Sequence, residues 1–206
     1  MTGRAWQRML SGRRLNIVDP SPLDIEITDI ALSLSRVARW NGQTIGDHGF
    51  SVAQHSVLVA ELMAAAAPVI DTRCMLAGLL HDAPEYVCSD LVTPFKNAIG
   101  GGYRELEDRM ARAVYVAFGL PAELPAEWAD AVVQADRLAA HIEAVQLAGF
   151  TEAEAKKLFA VKRNVPRATL TAWPAVQANE VFLDTFADLV AERWPAPMML
   201  GTQSDM

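Results

Sequence analysis

The most constraining feature of this chain is a polar pair, His81 and Asp82, at the end of the apolar run from Cys74 to Leu80. A helix that buries this run carries both side chains toward the interior, where an unpaired charge costs several kcal/mol. Two more acids, Glu85 and Asp90, follow in the string HDAPEYVCSD. The fold therefore has to bring partners to this segment, and these residue types favour a metal ion as the partner.

Two other segments each place one metal-capable side chain on an apolar helical face. The neighbours of His55 at three and four residues are mostly apolar, and those of Asp136 are valine and alanine. His55 alone could be a core histidine bonded to a backbone carbonyl, and Asp136 alone could pair with an arginine. The pair of His81 and Asp82 could be a polar helix end that faces water.

The coincidence of all four side chains favours a site for one divalent metal ion. Two imidazoles and two carboxylates suit Mn, Fe, Co, Ni or Zn, and Mg is compatible with them. Such a donor set leaves positions open for water, which is what a hydrolytic metal site requires.

The order of these four residues resembles the H…HD…D signature of the HD superfamily of metal-dependent phosphohydrolases. Within it the chain is most similar to the bacterial 5′-deoxynucleotidases, whose HDxSE…GDLPTPxK string resembles HDAPEYVCSDLVTPFK here. Their Arg-Trp pair and QAD motif match Arg39-Trp40 and Gln134-Ala135-Asp136. The resemblance spans about residues 25 to 150.

This resemblance implies hydrolysis of a (deoxy)nucleoside 5′-monophosphate to nucleoside and phosphate by a metal-activated water. Carried over by position, it implies that Glu85 and Asp90 hold or deprotonate that water. Members of the family are commonly dimers, so it also implies a homodimer. The residues that it assigns to one divalent ion are His55, His81, Asp82 and Asp136.

The same resemblance assigns the substrate to four residues: Arg39 at the phosphate, Trp40 near the sugar, and Thr93 and Lys96 in the TPxK string. Arginine also suits a phosphate monoester physically, because its planar fork can bind two oxygens at once. We expect Arg36 and Arg39 in a helix that ends at about Trp40, although Arg36 and Lys96 could be ordinary surface charges.

The residue before Glu85 is Pro84, which fits a helix only if a new turn starts there. Glu85 could then be a first-turn acid without a catalytic role.

Related two-metal enzymes recruit extra histidines between the positions of Asp82 and Asp136, and this chain has none there. We therefore expect a single ion.

Two alternative functions stay open at this point. A deoxynucleoside triphosphate triphosphohydrolase would use the same metal set, but it needs more cationic groups at its entrance. A non-catalytic nucleotide-binding HD protein is expected to have lost Glu85, Asp90 or a ligand. None of these residues is lost, which favours an enzyme.

Composition limits the remaining classes of protein. With 206 residues the chain can bury one core, and its net charge of −7 disfavours a general nucleic-acid binder. No apolar stretch approaches the ~20 residues of a membrane span. We expect a cytoplasmic enzyme with a small nucleotide as its partner.

The apolar periodicity predicts an all-α, single-domain compact helical bundle of the HD type, with about six to nine helices. We divide the chain into an N-terminal arm (1–24), the phosphohydrolase domain (25–195) and a flexible C-terminal tail (196–206). The only strand expected is a short one at 15–18, and the three glycines within 99–103 predict a loop. The predicted helices are 25–40, 52–66, 72–80, 105–118, 127–147, a short one from 151, and 173–193.

Overall fold

A computed structural model describes residues 5–66, 70–161, 165–193 and 198–200, without the side chain of Thr93. Within these ranges the fold is all-α, which confirms the predicted class, and a two-stranded hairpin precedes the helices. The strands are β1 (Trp6–Arg8) and β2 (Arg14–Asn16). The helices are α1 (Ile27–Leu34), α2 (Val52–Ala66), α3 (Thr72–Leu79), α4 (Glu85–Cys88), α5 (Thr93–Ile99), α6 (Gly101–Ala117), α7 (Ala126–Gln146), α8 (Glu152–Phe159) and α9 (Ala175–Val190).

The centre of the bundle is α2, which has the predicted bounds and packs against α3, α7 and α9. It is buried from Val52 to Met63 because helices surround it, so its polar side chains must find partners inside the protein. Gln54 does so by donating to the Thr171 carbonyl and accepting from the Trp173 amide, both at 2.9 Å. His55 lies on the same helix and needs partners for the same reason.

The expectation of one helix reaching Trp40 is wrong, since α1 ends at Leu34. The chain leaves the helix to form an antiparallel bridge in which the Arg39 amide donates to the Phe50 carbonyl at 2.8 Å. Arg39 and Trp40 therefore lie in a separate 3-10 turn. Arg36 is exposed at the surface, apart from this turn.

The glycine-rich stretch is also not the predicted loop. Helices α5 and α6 flank Gly100, whose φ of 91° lets the chain reverse direction without a connecting loop. The short helix α5 was missed because its seven residues show little periodicity, although Pro94 stands in its first turn, where proline is tolerated. Its position brings Lys96 toward the turn that follows α3.

Segments near both ends of the described chain contact the bundle. The β1–β2 hairpin, of which the sequence indicated only part of the second strand, buries Leu15 completely in the core. At the other end, the Glu61 carboxylate accepts the backbone N–H groups of Met198, Met199 and Leu200 at 2.6, 3.1 and 3.2 Å. The rest of the tail predicted to be flexible lies outside the described residues.

No helix in the described ranges is both long enough and apolar enough to cross a membrane.

Close packing of α3 on α2 generates a prediction about stability. A Cβ added to Gly78 would collide with the sulfur of the buried Met63, so Gly78→Ala should lower the free energy of unfolding by about 1–3 kcal/mol. The matched control is Gly102→Ala, where a Cβ meets nothing within 4 Å and the change should stay within about 0.5 kcal/mol. Denaturant unfolding measures both, and equal stability of the two variants would contradict this packing.

Candidate metal centre

Three elements bring the four predicted metal ligands together. His55 comes from α2, His81 and Asp82 from the turn after α3, and Asp136 from α7. The Nε2 atoms of His55 and His81 lie 3.4 Å apart. Around them, His55 Nε2 lies 3.4 Å from Asp82 Oδ2 and 3.2 Å from Asp136 Oδ1, and His81 Nε2 lies 3.3 Å from Asp82 Oδ1. The four donor groups therefore surround one small volume.

The other nitrogen of each imidazole faces a hydrogen-bond acceptor. His55 Nδ1 lies 2.6 Å from Glu143 Oε1, and His81 Nδ1 lies 2.8 Å from the Gly78 carbonyl oxygen. Each neutral ring therefore carries its proton on Nδ1 and its lone pair on Nε2. Two lone pairs that face each other between two carboxylates favour a cation between them.

The electrostatics of the cluster also favour a cation there. Burial disfavours the charged imidazole of His81, but Asp82 and Asp136 outweigh it and raise its pKa. Burial likewise opposes ionisation of Asp136, yet hydrogen bonds with His55 and His81 hold its pKa well below the usual range. The site thus favours positive charge at the nitrogens and negative charge at the carboxylates.

These residues fit a divalent ion by donor type and by spacing. His55, His81 and Asp82 each offer an atom within 4.8 Å of the others, and among the described residues they are the group with this property. Asp136 Oδ1 lies 3.2 and 3.8 Å from the two Nε2 atoms and adds a fourth donor. Mixed nitrogen and oxygen donors suit Mn, Co, Fe, Ni or Zn, with Mg compatible.

Glu143 is fully buried behind the cluster and was not among the predicted site residues. Its Oε1 accepts from His55, while its Oε2 accepts from Arg39 Nε at 2.9 Å and from Trp40 Nε1 at 3.0 Å. A signal for it was present, because Glu143 follows Asp136 by two helical turns and so shares its face of α7. Burial raises the pKa of Glu143, but Arg39 and His55 outweigh that effect and hold the pKa at about 2.

Arg39 and Trp40 lie at the edge of the metal cluster. Arg39 Nη1 is 3.4 Å from Asp82 Oδ2, so the guanidinium bridges Glu143 and a predicted metal ligand. Trp40 has a φ of 58°, a left-handed conformation that costs about 1–3 kcal/mol in a non-glycine residue. Its indole is fixed by Glu143 and packs near the rings of Phe150 and Phe159, at centroid distances of 5.8 and 6.2 Å.

A cavity of ≈ 270 Å³ opens beside the metal cluster. Glu85 is 3% exposed, and its Oε2 has no hydrogen-bond partner among the described residues. Lys96 Nζ lies 3.4 Å from Glu85 Oε1 and 2.9 Å from Glu107 Oε1. The residues that line the cavity are His81, Asp82, Pro84, Glu85, Lys96, Glu107, Asp108 and Ala111.

The predicted catalytic acids have unusual proton affinities. Burial raises the pKa of Glu85 to about 9, and the neighbouring charges of Asp82 and Asp90 act in the same direction. Burial also raises the pKa of Asp90, against the opposing effect of Arg39. Glu85 begins α4 directly after Pro84, as expected of a new helical turn. Glu85 lines the cavity beside His81 and Asp82, whereas Asp90 lies two residues beyond the end of α4.

Thr93 begins α5, but its side chain lies outside the described part of the structure. His141 is buried and pairs with Glu152 at 3.1 Å, so it has a structural role away from the cluster. His48 lies exposed in the loop before α2.

Comparisons with known proteins match most of the helical bundle, from within α1 to the end of α9. The sequence model of the family described as 5′-deoxynucleotidase YfbR-like matches residues 30–190. An uncharacterized protein of Rhodobacter capsulatus is 62% identical over 156 residues, which make up 76% of this chain and 80% of that protein. The uncharacterized protein YfdR of Escherichia coli is 33% identical over 114 residues, 54% of this chain and 58% of that protein.

The facing imidazoles generate a prediction about metal binding. We expect His81→Ala to weaken binding of Mn²⁺ or Zn²⁺ by more than about 100-fold, because losing even a residue that only orients a ligand costs about 10- to 100-fold. Isothermal titration calorimetry measures the affinity. The ion should also raise the unfolding temperature of the native protein by mass action, and this shift should vanish in the variant.

The matched control for this experiment is His48→Ala, which removes an exposed imidazole that is not one of the predicted metal ligands. It should bind the ion as the native protein does. Equal affinity of the His81→Ala and His48→Ala variants would exclude the cluster as the metal centre.

Proposed function

Because this chain belongs to the 5′-deoxynucleotidase YfbR-like family of HD-type hydrolases, we propose that it hydrolyses (deoxy)nucleoside 5′-monophosphates to nucleoside and phosphate. The family match confirms the resemblance first indicated by the string from His81 to Lys96. The observation that carries the proposal is the convergence of two imidazoles and two carboxylates beside a cavity that holds a buried acid and a lysine.

The acid in that cavity is suited to accept a proton. A divalent ion bound by His55, His81, Asp82 and Asp136 would supply a water of lowered pKa and polarise a phosphoryl oxygen. Burial and the charges of Asp82 and Asp90 raise the pKa of Glu85 to about 9, so without an ion this acid keeps its proton at neutral pH. The charge of a bound divalent ion would lower that pKa toward the range in which a carboxylate accepts a proton from water. The unpaired Oε2 of Glu85 has capacity for one hydrogen bond from the attacking water.

The reaction also needs a proton for the leaving group. The bond between phosphorus and the 5′ oxygen breaks while a new phosphorus–oxygen bond to water forms. The proton taken up by Glu85 leaves a carboxylic acid that can return it to the departing 5′ oxygen. Asp90, whose pKa burial also raises, is the second carboxyl that can hold a proton near the same turn.

Cationic side chains would orient the phosphate. Arg39 is anchored through Nε to Glu143, which directs its terminal nitrogens toward Asp82 and the metal cluster. Lys96 lines the cavity and would add a second positive charge. An arginine and a lysine, together with the ion, match the dianion of a phosphate monoester.

The charge of the cavity favours a monophosphate over a triphosphate. Its lining includes Glu85, Glu107 and Asp108, whereas Lys96 is its one cationic side chain among the described residues. Lys96 is already paired with Glu85 and Glu107. A triphosphate, with about four negative charges, would meet stronger repulsion here than a monoester with about two.

The proposal predicts a specific pattern of products. The metal-reconstituted protein should release inorganic phosphate and nucleoside from deoxynucleoside 5′-monophosphates, and chelation should abolish the activity. A panel of nucleotides assayed by chromatography and phosphate release measures this. Tripolyphosphate from deoxynucleoside triphosphates would instead identify a triphosphohydrolase. Tight nucleotide binding without turnover would identify a non-catalytic binder.

The role of Glu85 predicts a separation of catalysis from metal binding. Glu85→Gln removes the proton acceptor, so kcat should fall by about 10²- to 10⁴-fold while Mn²⁺ affinity stays within a few-fold of native. Steady-state kinetics and calorimetry measure the two quantities. The same substitution at the exposed Glu105 on α6 is the control and should leave both unchanged. A Glu85→Gln variant with native kcat would remove Glu85 from the mechanism.

A further inference from the structure

We propose that Glu143 is the positioning residue that joins the metal centre to the phosphate-binding arginine. One of its oxygens holds His55 in the orientation that presents Nε2 to the ion, and the other holds Arg39 and Trp40 at the substrate side. The part that concerns substrate rests on the proposed function above. The part that concerns the metal stands on the geometry of the cluster alone.

The two carboxylate oxygens of Glu143 contact different partners. Glu143 Oε1 lies 2.6 Å from His55 Nδ1, a short contact of the kind expected when a carboxylate accepts from an imidazole N–H. Glu143 Oε2 accepts from Arg39 Nε at 2.9 Å and from Trp40 Nε1 at 3.0 Å. One fully buried side chain therefore contacts a predicted metal ligand and both residues of the Arg39-Trp40 turn.

These three contacts require a carboxylate rather than an amide. All three partners approach as donors, and a carboxylate can accept from all of them. An amide that turned its oxygen to Arg39 and Trp40 would place its NH₂ against His55 Nδ1. His55 Nδ1 would then have to accept a hydrogen bond from the amide. The ring proton would move to Nε2, where it blocks metal binding. In the opposite orientation the NH₂ group would face the N–H donors of Arg39 and Trp40, and neither side could accept a hydrogen bond.

The contacts of Glu143 also link the metal-binding part of the site to the proposed substrate-binding part. A residue that donates through its second ring nitrogen to a carboxylate is held in both tautomer and orientation, which strengthens it as a ligand. The same carboxylate supports the left-handed Trp40, whose backbone conformation would otherwise be unfavourable. Displacement of Glu143 would therefore disturb metal affinity and substrate affinity together.

The test compares Glu143→Gln with Glu127→Gln, an exposed glutamate on the same helix. We expect the first variant to bind Mn²⁺ about 10- to 100-fold more weakly than the native protein and the second to bind it normally. Calorimetry without any nucleotide measures this, and circular dichroism verifies that both variants are folded. A folded Glu143→Gln variant with native Mn²⁺ affinity would overturn the proposal, because a merely structural role would change stability alone.

A second measurement uses the native protein and does not depend on the variant's folding. In Zn²⁺-loaded protein labelled with ¹⁵N-histidine, His55 Nδ1 should carry a proton whose resonance is shifted far downfield by the short bond to Glu143. If His55 Nδ1 lacks a proton in the Zn²⁺-loaded protein, the proposed orientation is wrong, whatever the variant does.

The outcomes separate this inference from the proposed function. If the native protein hydrolyses no nucleotide but Glu143→Gln loses Mn²⁺ affinity, the function fails and the role of Glu143 at the metal centre stands. If the native protein is an active nucleotidase and Glu143→Gln keeps both Mn²⁺ affinity and the native KM, the function stands and the positioning role fails.

Discussion

The close approach of two imidazole nitrogens, 3.4 Å apart at the junction of α2, α7 and the turn after α3, is the contact on which the rest of the structure depends. Lone pairs that meet at this distance repel each other, so the arrangement favours a cation between them and anions nearby. The carboxylates of Asp82 and Asp136 supply the anions, and the acceptors behind each ring turn the lone pairs inward. The burial of α2 makes this arrangement rigid, because surrounding helices leave His55 no alternative position.

Negative charge exceeds positive charge around this contact. Four carboxylates together raise the pKa of Arg39 despite its burial: Glu143, Asp82, Asp90 and Asp136. The charges of Asp82 and Asp90 also raise the pKa of Glu85. Such a field attracts a divalent cation and repels a phosphate dianion. On the proposed function, the ion therefore has to be in place before the phosphate can enter, and its charge sets the proton affinity of every acid nearby.

Long periodic segments could be predicted from the sequence, whereas short irregular ones could not. The bounds of α2 were correct, and those of α3 and α7 were correct to within one residue, because their apolar faces repeat over several turns. The capping box of Thr151 and Glu154 likewise identified the start of α8. In contrast, the turn that carries Arg39 depends on its pairing with Phe50, and the α5–α6 junction depends on one residue, Gly100. Neither feature produces a periodic pattern of apolar residues in the sequence.

The sequence by itself determined the chemistry of the candidate site, because imidazoles and carboxylates that recur on apolar helical faces must meet partners in the interior. It therefore identified His55, His81, Asp82 and Asp136 as a group. Only the tertiary structure decided which atoms face one another, and it alone brought Glu143 behind His55. The two residues are 88 positions apart in the chain, so their hydrogen bond exists only after α2 and α7 have packed. Spacing along a sequence fixes the face of a helix, but the direction of a lone pair depends on contacts that folding creates.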